Sequence, residues 1–265
     1  MKKFLIRKRN GKTRLIYKPN HRRKTRLRLL VPELNALARD LCDPRVVHGF
    51  MPGKSPVTNA LEHVGFQWTL CCDLADFFDS VTAKHLPILP QEILEEILVD
   101  GAARQGLPTS PAAANLAAGK LDRAILRWIA RSPAEIRYTR YADDLSFSSD
   151  QLHVLTRLRA VLPRIVKRSG FTLNESKTRI LSARAGRRII TGVAVDDSIH
   201  APRTVRRRLR AARHQGNWRS ARGLAEWDKL KLPSGEARLD GPVVRARARA
   251  LSRTRFRQLL HVWEK

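Results

Sequence analysis

The sequence contains few cysteines and no long apolar run. Its three cysteines, Cys42, Cys71 and Cys72, are too few for a disulfide framework, and no two of them have zinc-finger spacing. No apolar run approaches the ~20 residues that a membrane-spanning helix needs. The apolar part of the basic start, Phe4 to Ile6, is too short for a signal peptide. These absences argue against a secreted disulfide scaffold and a membrane protein, so we expect a reduced, cytoplasmic protein with no membrane partner.

Acidic residues are also scarce, and their distribution is uneven. The chain has 265 residues with 52 Lys and Arg against 24 Asp and Glu, a formal net charge of +28. Residues 1–30 hold 13 basic side chains and no acid, and residues 200–265 hold 18 basic and 5 acidic ones. The segment 31–199 is nearly neutral, with 21 basic and 19 acidic side chains. Because such an excess repels itself unless a polyanion offsets it, the charge predicts a nucleic-acid partner.

Alternating helical and β patterns predict an α+β fold with a packed core. Residues 1–30 suggest basic strands, and a helix is predicted from residue 31 with Pro32 in its first turn. "IRYTRYADDLSFS" predicts a strand-turn-strand hairpin. From Pro202 the chain is helical in pattern, with arginines on every face, which is not typical of an amphipathic core helix. We expect Trp218 and Trp227 to pack, although each could instead stack on a base.

Three acids lie at the ends of predicted strands. Asp143 and Asp144 occupy the tip of the predicted hairpin, and Asp73 ends the apolar strand that begins at Trp68. Carboxylates that converge in this way can hold two divalent cations ~3.5–4 Å apart for phosphoryl transfer. Mg²⁺ prefers such oxygen ligands. The alternative is that these are ordinary turn acids, since Asp favours turns.

Several segments resemble the motifs of reverse transcriptases, in the family's order. "YADD" resembles the catalytic hairpin, and "CCDLADFFDS" resembles the first catalytic motif. "RQGLPTSPAAANLAAGKLD" is similar to the segment between them, "GFTLNESKT" to the following motif and "RLIYKP" to an early fingers motif. Within the family, "VTNALEH" and "ITGVAVD" resemble retron motifs. The chain is therefore identified by resemblance as a retron-type bacterial reverse transcriptase.

The resemblance implies a right-hand polymerase with three parts. The fingers would comprise residues 1–66 and 85–105, the palm 67–84 and 106–192, and the basic thumb 193–265. The implied reaction is the addition of dNTPs to DNA on an RNA template, with two Mg²⁺ ions as cofactors. A retron enzyme would bind one structured noncoding RNA, start DNA from an internal guanosine 2′-hydroxyl, and produce a branched RNA–DNA hybrid. A separately encoded effector protein and a role in phage defence are also implied.

The resemblance assigns roles to residues of the catalytic centre. Asp73, Asp143 and Asp144 would bind the metal ions, with the Leu74 carbonyl as a further ligand. Lys177 would be the general acid for the pyrophosphate, although a phosphate contact or an ordinary surface lysine are equally open.

Four residues would bind the incoming nucleotide. Phe78 would exclude a 2′-hydroxyl, the alternative being a core aromatic, which suits Phe77 better. Arg14 would grip the triphosphate, although Lys12 or Lys18 could be confused with it. Gln105 and Gly106 would line the pocket, unless they form a plain turn before a helix.

Nucleic-acid contacts are expected at the retron motifs and in the thumb. Asn59 and His63 are four positions apart and would share a face on a helix, and for both RNA recognition and a purely structural role stand as alternatives. The remaining expected contacts are Thr191, Gly192, Arg203, Arg206, Arg207, Arg210 and Arg213.

Two other interpretations remain. One is a phage-defence or diversity-generating reverse transcriptase with different priming, and the other is a catalytically idle RNA-binding scaffold.

Overall fold

The computed structural model describes residues 1–7, 11 and 13–232, so Lys12 and residues 233–265 of the predicted thumb lie outside the described residues. The described part contains ten strands and eight α-helices. The strands are β1 (Lys2–Arg7), β2 (Thr13–Lys18), β3 (Trp68–Ala75), β4 (Arg137–Tyr141), β5 (Asp144–Ser149), β6 (Thr172–Leu173), β7 (Arg179–Ser182), β8 (Arg188–Ile190), β9 (Val193–Val195) and β10 (Ile199–His200). The helices are α1 (His21–Leu41), α2 (Pro56–Leu61), α3 (Phe77–Ser80), α4 (Gln91–Ile97), α5 (Ser110–Ile129), α6 (Leu152–Arg168), α7 (Arg203–His214) and α8 (Trp218–Asp228).

The central sheet is antiparallel and has five strands. Its order is β4-β5-β3-β6, and β7 also pairs with β3, on residues that β6 leaves free. The hairpin predicted from "IRYTRYADDLSFS" is β4 and β5. Strands β1 and β2 form a separate hairpin, and β8, β9 and β10 form a third small sheet. This mixture of helices and antiparallel sheets confirms the predicted α+β class.

The alternation of side chains along strand β3 explains why Asp73 lies at the edge of the core. Successive side chains of a strand point to opposite faces. Leu70, Cys72 and Leu74 belong to the main hydrophobic core, so Thr69 and Asp73 point to the other face. Helix α6 lies on β3 and β5, and α5 packs against α6 and α1. The core therefore covers one face of the sheet and leaves the other for polar groups.

Helix α1 corrects two predictions about the N-terminal region. The helix begins at His21, ten residues before the predicted start, so the strands of residues 1–30 end at Lys18. Pro32 lies inside the helix on its exposed side and not in its first turn. The helix continues through this residue because Leu27, Leu34 and Ala38 form one buried stripe that joins the main core.

Two smaller clusters lie outside the main core. Helix α2 packs against the β8–β9 hairpin, with Val57, Ala60, Ile190 and Val193 buried between them. Helices α7 and α8 pack against each other, and their buried residues include Leu209. No helix in residues 13–232 has both the length and the apolar character required to cross a bilayer.

Candidate active site

The three predicted acids meet at one end of the central sheet. Asp73 is directly opposite Asp144 in the antiparallel pairing of β3 with β5. The backbone N–H of Leu74 donates a 2.9 Å hydrogen bond to the carbonyl oxygen of Asp143. Directly paired residues on adjacent strands project to the same face, so Asp73 and Asp144 lie side by side. The sheet register therefore brings together acids that are some 70 positions apart in the chain.

The turn that carries Asp143 has an unfavourable backbone conformation. Tyr141 pairs with Asp144, which leaves Ala142 and Asp143 as a two-residue loop. Ala142 has φ of 57°, in the left-handed region that residues with a Cβ rarely adopt. Such a conformation persists only where the surroundings impose it.

The environment of the acids opposes their ionisation. Burial, Asp143 and Asp73 together raise the pKa of Asp144 to about 6. Burial and the negative charge of Asp73 likewise raise the pKa of Asp143, while Lys177 and Arg14 act in the opposite direction. Negative charge is therefore concentrated in a partly desolvated place, where cations stabilise it.

Asp73 is held by two residues of the segment before β7. The Lys177 Nζ lies 2.7 Å from its Oδ1, and the Asn174 Nδ2 donates to its Oδ2 at 3.2 Å. The Asn174 backbone N–H also donates to the Asp73 carbonyl oxygen at 2.7 Å. Lys177 therefore contacts one of the three acids, while its side chain is 58% exposed and its role in the reaction stays a prediction. Asn174 also contacts Asp73 and was missed as a site residue, although it belongs to the quoted motif "GFTLNESKT". Among residues 1–7, 11 and 13–232, no group of three or more His, Cys, Asp or Glu side chains is already arranged to hold a metal ion.

Phe78 lies on the short helix α3, which follows β3. It is partly buried, and its ring lies 5.9 Å from that of Phe50 and 5.7 Å from that of Phe77, measured between centroids. Phe77 is buried in the core, where it also contacts Phe171. Phe78 also packs against the main core, so its role in sugar selection stays a prediction.

The predicted nucleotide-binding residues Arg14, Gln105 and Gly106 converge on β2. Arg14 is exposed on that strand and is close enough to lower the pKa of Asp143. The Tyr17 backbone N–H donates to the Gln105 carbonyl oxygen at 2.8 Å. Gly106 has φ of 104°, and a Cβ there would overlap the Tyr17 carbonyl oxygen and lie 2.8 Å from a methyl of Ile16. Glycine is therefore required at this position by contact with β2, and a nucleotide contact stays a prediction.

The structure corrects the RNA contact predicted for His63. The side chain is fully buried, with Nδ1 2.8 Å from the Ser148 hydroxyl and Nε2 2.7 Å from the Thr139 hydroxyl. Both ring nitrogens are thus engaged beneath the central sheet, so no polar atom is available to RNA. Asn59 is equally buried, and its Nδ2 donates to the Thr191 hydroxyl at 3.3 Å. The geometry favours the structural alternative for both residues.

Thr191 and Gly192 form the turn between β8 and β9. Both have positive φ, 45° and 82°, which is a strained conformation for a β-branched residue. The Thr191 hydroxyl donates to the Pro56 carbonyl oxygen at 3.3 Å, and with the Asn59 bond it ties the turn to α2. The two predicted retron motifs are therefore in direct contact with each other.

The arginines of α7 do not surround the helix. Leu209 and Ala212 are buried against α8, so α7 is amphipathic and the contrary expectation was wrong. By the 3.6-residue period the five predicted arginines share one exposed face of about 120°, and Arg208 lies about 100° outside it, on the other flank of the buried stripe. Trp227 packs beside Ile190 as predicted, but Trp218 is 71% exposed, so packing was the wrong prediction there. The five arginines are Arg203, Arg206, Arg207, Arg210 and Arg213.

Comparison with known proteins agrees with the motifs. A family model described as "Reverse transcriptase (RNA-dependent DNA polymerase)" matches residues 6–218. The retron Mx65 reverse transcriptase of Myxococcus xanthus is 39% identical over 240 residues, 80% of this chain and 55% of that protein. The retron Mx162 enzyme of the same organism is 30% identical over 88% of this chain and 56% of its own length. The retron Ec86 enzyme of Escherichia coli is 30% identical over 63% of this chain and 54% of its length. The chain thus spans about half the length of the named relatives it matches.

Solved structures show the same fold in more distant proteins. Telomerase from Candida albicans in complex with a fragment of telomeric RNA has a TM-score of 0.53 at 12% identity, over 76% of this chain and 45% of that one. Apo telomerase from Candida tropicalis, truncated from its C-terminal domain, has a TM-score of 0.51 at 13% identity, over 73% of this chain and 52% of that one. These likenesses concern the fold alone, and with the family match they confirm the predicted right-hand polymerase architecture. The chain belongs to the reverse transcriptase family, and among its members it is similar to the retron reverse transcriptases.

Proposed function

We propose that this chain is an RNA-directed DNA polymerase that adds dNTPs to the 3′ end of DNA on an RNA template. The observation that carries the proposal is the direct pairing of Asp73 with Asp144, with Asp143 in the adjoining turn. Carboxylates from two chain segments at one sheet end are what two-metal phosphoryl transfer requires. Turn acids that had no common task would have no reason to share a strand register.

The donor set suits magnesium. The carboxylates of Asp73, Asp143 and Asp144, with the Leu74 carbonyl, would hold two Mg²⁺ ions, since every donor is an oxygen. Burial first, and then the neighbouring carboxylates, raise the pKa values of Asp143 and Asp144, and bound cations would favour the charged forms. When bound, the ions supply activation of the attacking hydroxyl and stabilisation of the leaving oxygens. Lys177 now neutralises Asp73 at 2.7 Å, and it would be released when that carboxylate binds metal.

The residues around the acids would orient the nucleotide. Lys177, once released from Asp73, would donate a proton to the pyrophosphate or contact its phosphates. Arg14 would grip the triphosphate from β2, with Gln105 and Gly106 beside it. Phe78 would lie under the sugar, where its ring leaves no space for a 2′-hydroxyl.

Nucleic acid would run from the acids towards the C-terminal helices. The exposed arginine face of α7 suits contact with phosphates of an RNA–DNA hybrid. The Thr191–Gly192 turn would lie against the hybrid. Asn59 would support that contact indirectly, through its hydrogen bond to the Thr191 hydroxyl. In domain terms we propose fingers at residues 1–66 and 85–105, a palm at 67–84 and 106–192, and a thumb from residue 193.

The similarity to retron enzymes supports a more specific role. The enzyme would copy part of a structured noncoding RNA into single-stranded DNA that stays linked to that RNA. It would act in the cytoplasm, together with a separately encoded effector in phage defence. Sequencing of the 5′ end of the DNA that copurifies with the protein tests this role. A DNA joined to an RNA 2′-hydroxyl is expected, whereas an unbranched product would favour a phage-defence or diversity-generating reverse transcriptase with other priming.

A further inference from the structure

A buried ion pair lies next to the turn formed by Ala142 and Asp143. Arg140, on β4, is fully buried, and its Nε and Nη2 donate to both carboxylate oxygens of Asp122 on α5, at 2.8 to 3.1 Å. Tyr138 donates its hydroxyl to the same carboxylate at 2.7 Å. Because desolvation of two charges offsets much of their attraction, a buried pair is weak support for stability. A geometric role is therefore worth seeking in the remaining bonds of Arg140.

The third nitrogen of Arg140 reaches the turn itself. Its Nη1 donates to the Ala142 carbonyl oxygen at 3.4 Å and to the Asn115 Oδ1 at 2.9 Å. Ala142 is the residue with the left-handed backbone, immediately before Asp143. Arg140 thus links the interior of α5 to the peptide that determines where Asp143 points.

The segment before α2 presses on the same turn from the other side. The Arg140 backbone N–H donates to the Val46 carbonyl oxygen at 2.7 Å, and the His48 N–H donates to the Arg140 carbonyl oxygen at 2.9 Å. Asn115 Nδ2 donates to the Gly49 carbonyl oxygen at 2.9 Å. A Cβ on Gly49 would overlap the Ala142 nitrogen and lie 2.8 Å from the Tyr141 carbonyl carbon. Glycine is required here by this close approach, not by a positive φ.

We propose that Arg140, Asp122, Asn115 and Gly49 form a brace that fixes the turn at Ala142 and thereby sets the position of Asp143 beside Asp73. They are positioning residues, because none of them belongs to the carboxylate cluster. The inference rests on the proposed polymerase function, since it concerns the same site. If the ion pair served stability alone, neither the Nη1 bond to the turn nor the contact at Gly49 would influence the reaction.

Variants of the brace can be compared with matched controls. Arg140→Lys keeps the charge beside Asp122 but removes the fork that reaches Ala142 and Asn115. Gly49→Ala inserts a methyl group against the turn. Tyr138→Phe removes another hydrogen bond to Asp122 without touching the turn. Gly223→Ala lies where a Cβ meets nothing within 4 Å, so it controls for the glycine substitution.

Primer-extension kinetics are measured, and crystal structures are determined, for all four variants. We expect Arg140→Lys and Gly49→Ala to lower kcat by roughly tenfold to a hundredfold, since a misplacement of about 1 Å has effects of that size. The KM for dNTP is expected to stay near the wild-type value, and crystal structures should show Asp143 displaced. Tyr138→Phe and Gly223→Ala should retain wild-type kcat even where their melting temperatures change.

The outcomes separate the brace from the polymerase proposal. The brace is overturned, and the polymerase assignment stands, if the brace variants keep wild-type kcat. The same conclusion follows if their kcat falls by no more than that of Tyr138→Phe. If Asp143 moves in the brace variants but the wild-type protein extends no primer, the brace is supported and the polymerase assignment fails. An unmoved Asp143 in both brace variants overturns the brace whatever the activity.

Discussion

Lys177 and Asp73 form an ion pair with 2.7 Å between Nζ and Oδ1, although we propose Asp73 as a metal ligand. An ammonium and a metal ion would compete for the negative charge of that carboxylate, so we expect the pair to open when metal binds. Lys177 would then be free to contact the nucleotide phosphates. This exchange would couple metal binding to the delivery of a cation for the leaving group.

Replacement of Lys177 tests this coupling. We expect Lys177→Ala to lower the rate constant of nucleotide addition by about 10²-fold or more, the usual contribution of a general acid. A pure loss in kcat would indicate proton donation, and a rise in the KM for dNTP would indicate a phosphate contact. Lys167→Ala, an exposed lysine on α6, is the control. Equal rates in the two variants would remove Lys177 from the mechanism.

Removal of the Phe78 ring should relax sugar selection. In Phe78→Ala we expect the ratio of kcat/KM for dNTP over rNTP to fall by about tenfold or more, which corresponds to ~1.4 kcal/mol. Phe77→Leu is the control because that ring lies in the core, and it should alter stability but not the ratio. Steady-state incorporation of matched dNTP and rNTP measures both. An unchanged ratio in Phe78→Ala would identify that ring as an ordinary packing residue.

His63 should make the protein acid-sensitive. Complete burial lowers the pKa of His63 well below its ordinary value, and burial lowers the pKa of His48 to about 4. Below about pH 6.5 the unfolded chain binds protons that the folded protein excludes, so the free energy of unfolding falls as the pH decreases. Each such group contributes up to ~1.4 kcal/mol per pH unit.

Urea unfolding between pH 7 and pH 5 measures this slope. His63→Gln should have a shallower pH dependence than the wild type, because one group that must remain neutral has been removed. His153→Gln, at an exposed position of α6, is the control. Identical slopes in the wild type and His63→Gln would mean that the folded protein accommodates a charged His63.

The arginine face of α7 should determine the salt dependence of binding. We expect Arg206→Gln and Arg210→Gln each to weaken binding of an RNA–DNA hybrid and to lower the slope of log K against log salt by about 1. Arg208 lies outside that face, on the other flank of the buried stripe, so Arg208→Gln should have the smaller effect. Fluorescence anisotropy at several salt concentrations is the measurement. Equal slopes for the three variants would argue against a specific phosphate-binding face.

The sequence predicted the three acids better than the residues that hold them in position. Asp73, Asp143 and Asp144 stand out because burial beside apolar strands disfavours a carboxylate, and the sheet register places them together. Arg140 gave no such signal, because its partner Asp122 lies 18 positions earlier and reaches it only through packing of α5. A histidine one helical turn from an asparagine predicts a shared face, but local spacing does not tell whether that face is buried.

Helix boundaries show the same limitation. Pro32 predicted a helix start, yet a buried stripe that begins at Leu27 extends the helix past the proline. Leu209 and Ala212 were obscured by the arginines around them, although they fix how α7 lies on α8. In both helices a few buried apolar residues determine the boundary or the packing face, whereas the proline and the arginines that stand out in the sequence do not.

The most direct test of the central claim is extension of a DNA primer on an RNA template by the purified protein with dNTPs and Mg²⁺. We predict extension by the wild type, loss of extension on chelation of Mg²⁺, and activity at background in Asp143→Asn. Asp197→Asn, an exposed acid outside the site, should extend like the wild type. Extension by Asp143→Asn at the wild-type rate would contradict the assignment of the three carboxylates, and no extension by any form would favour an idle RNA-binding scaffold.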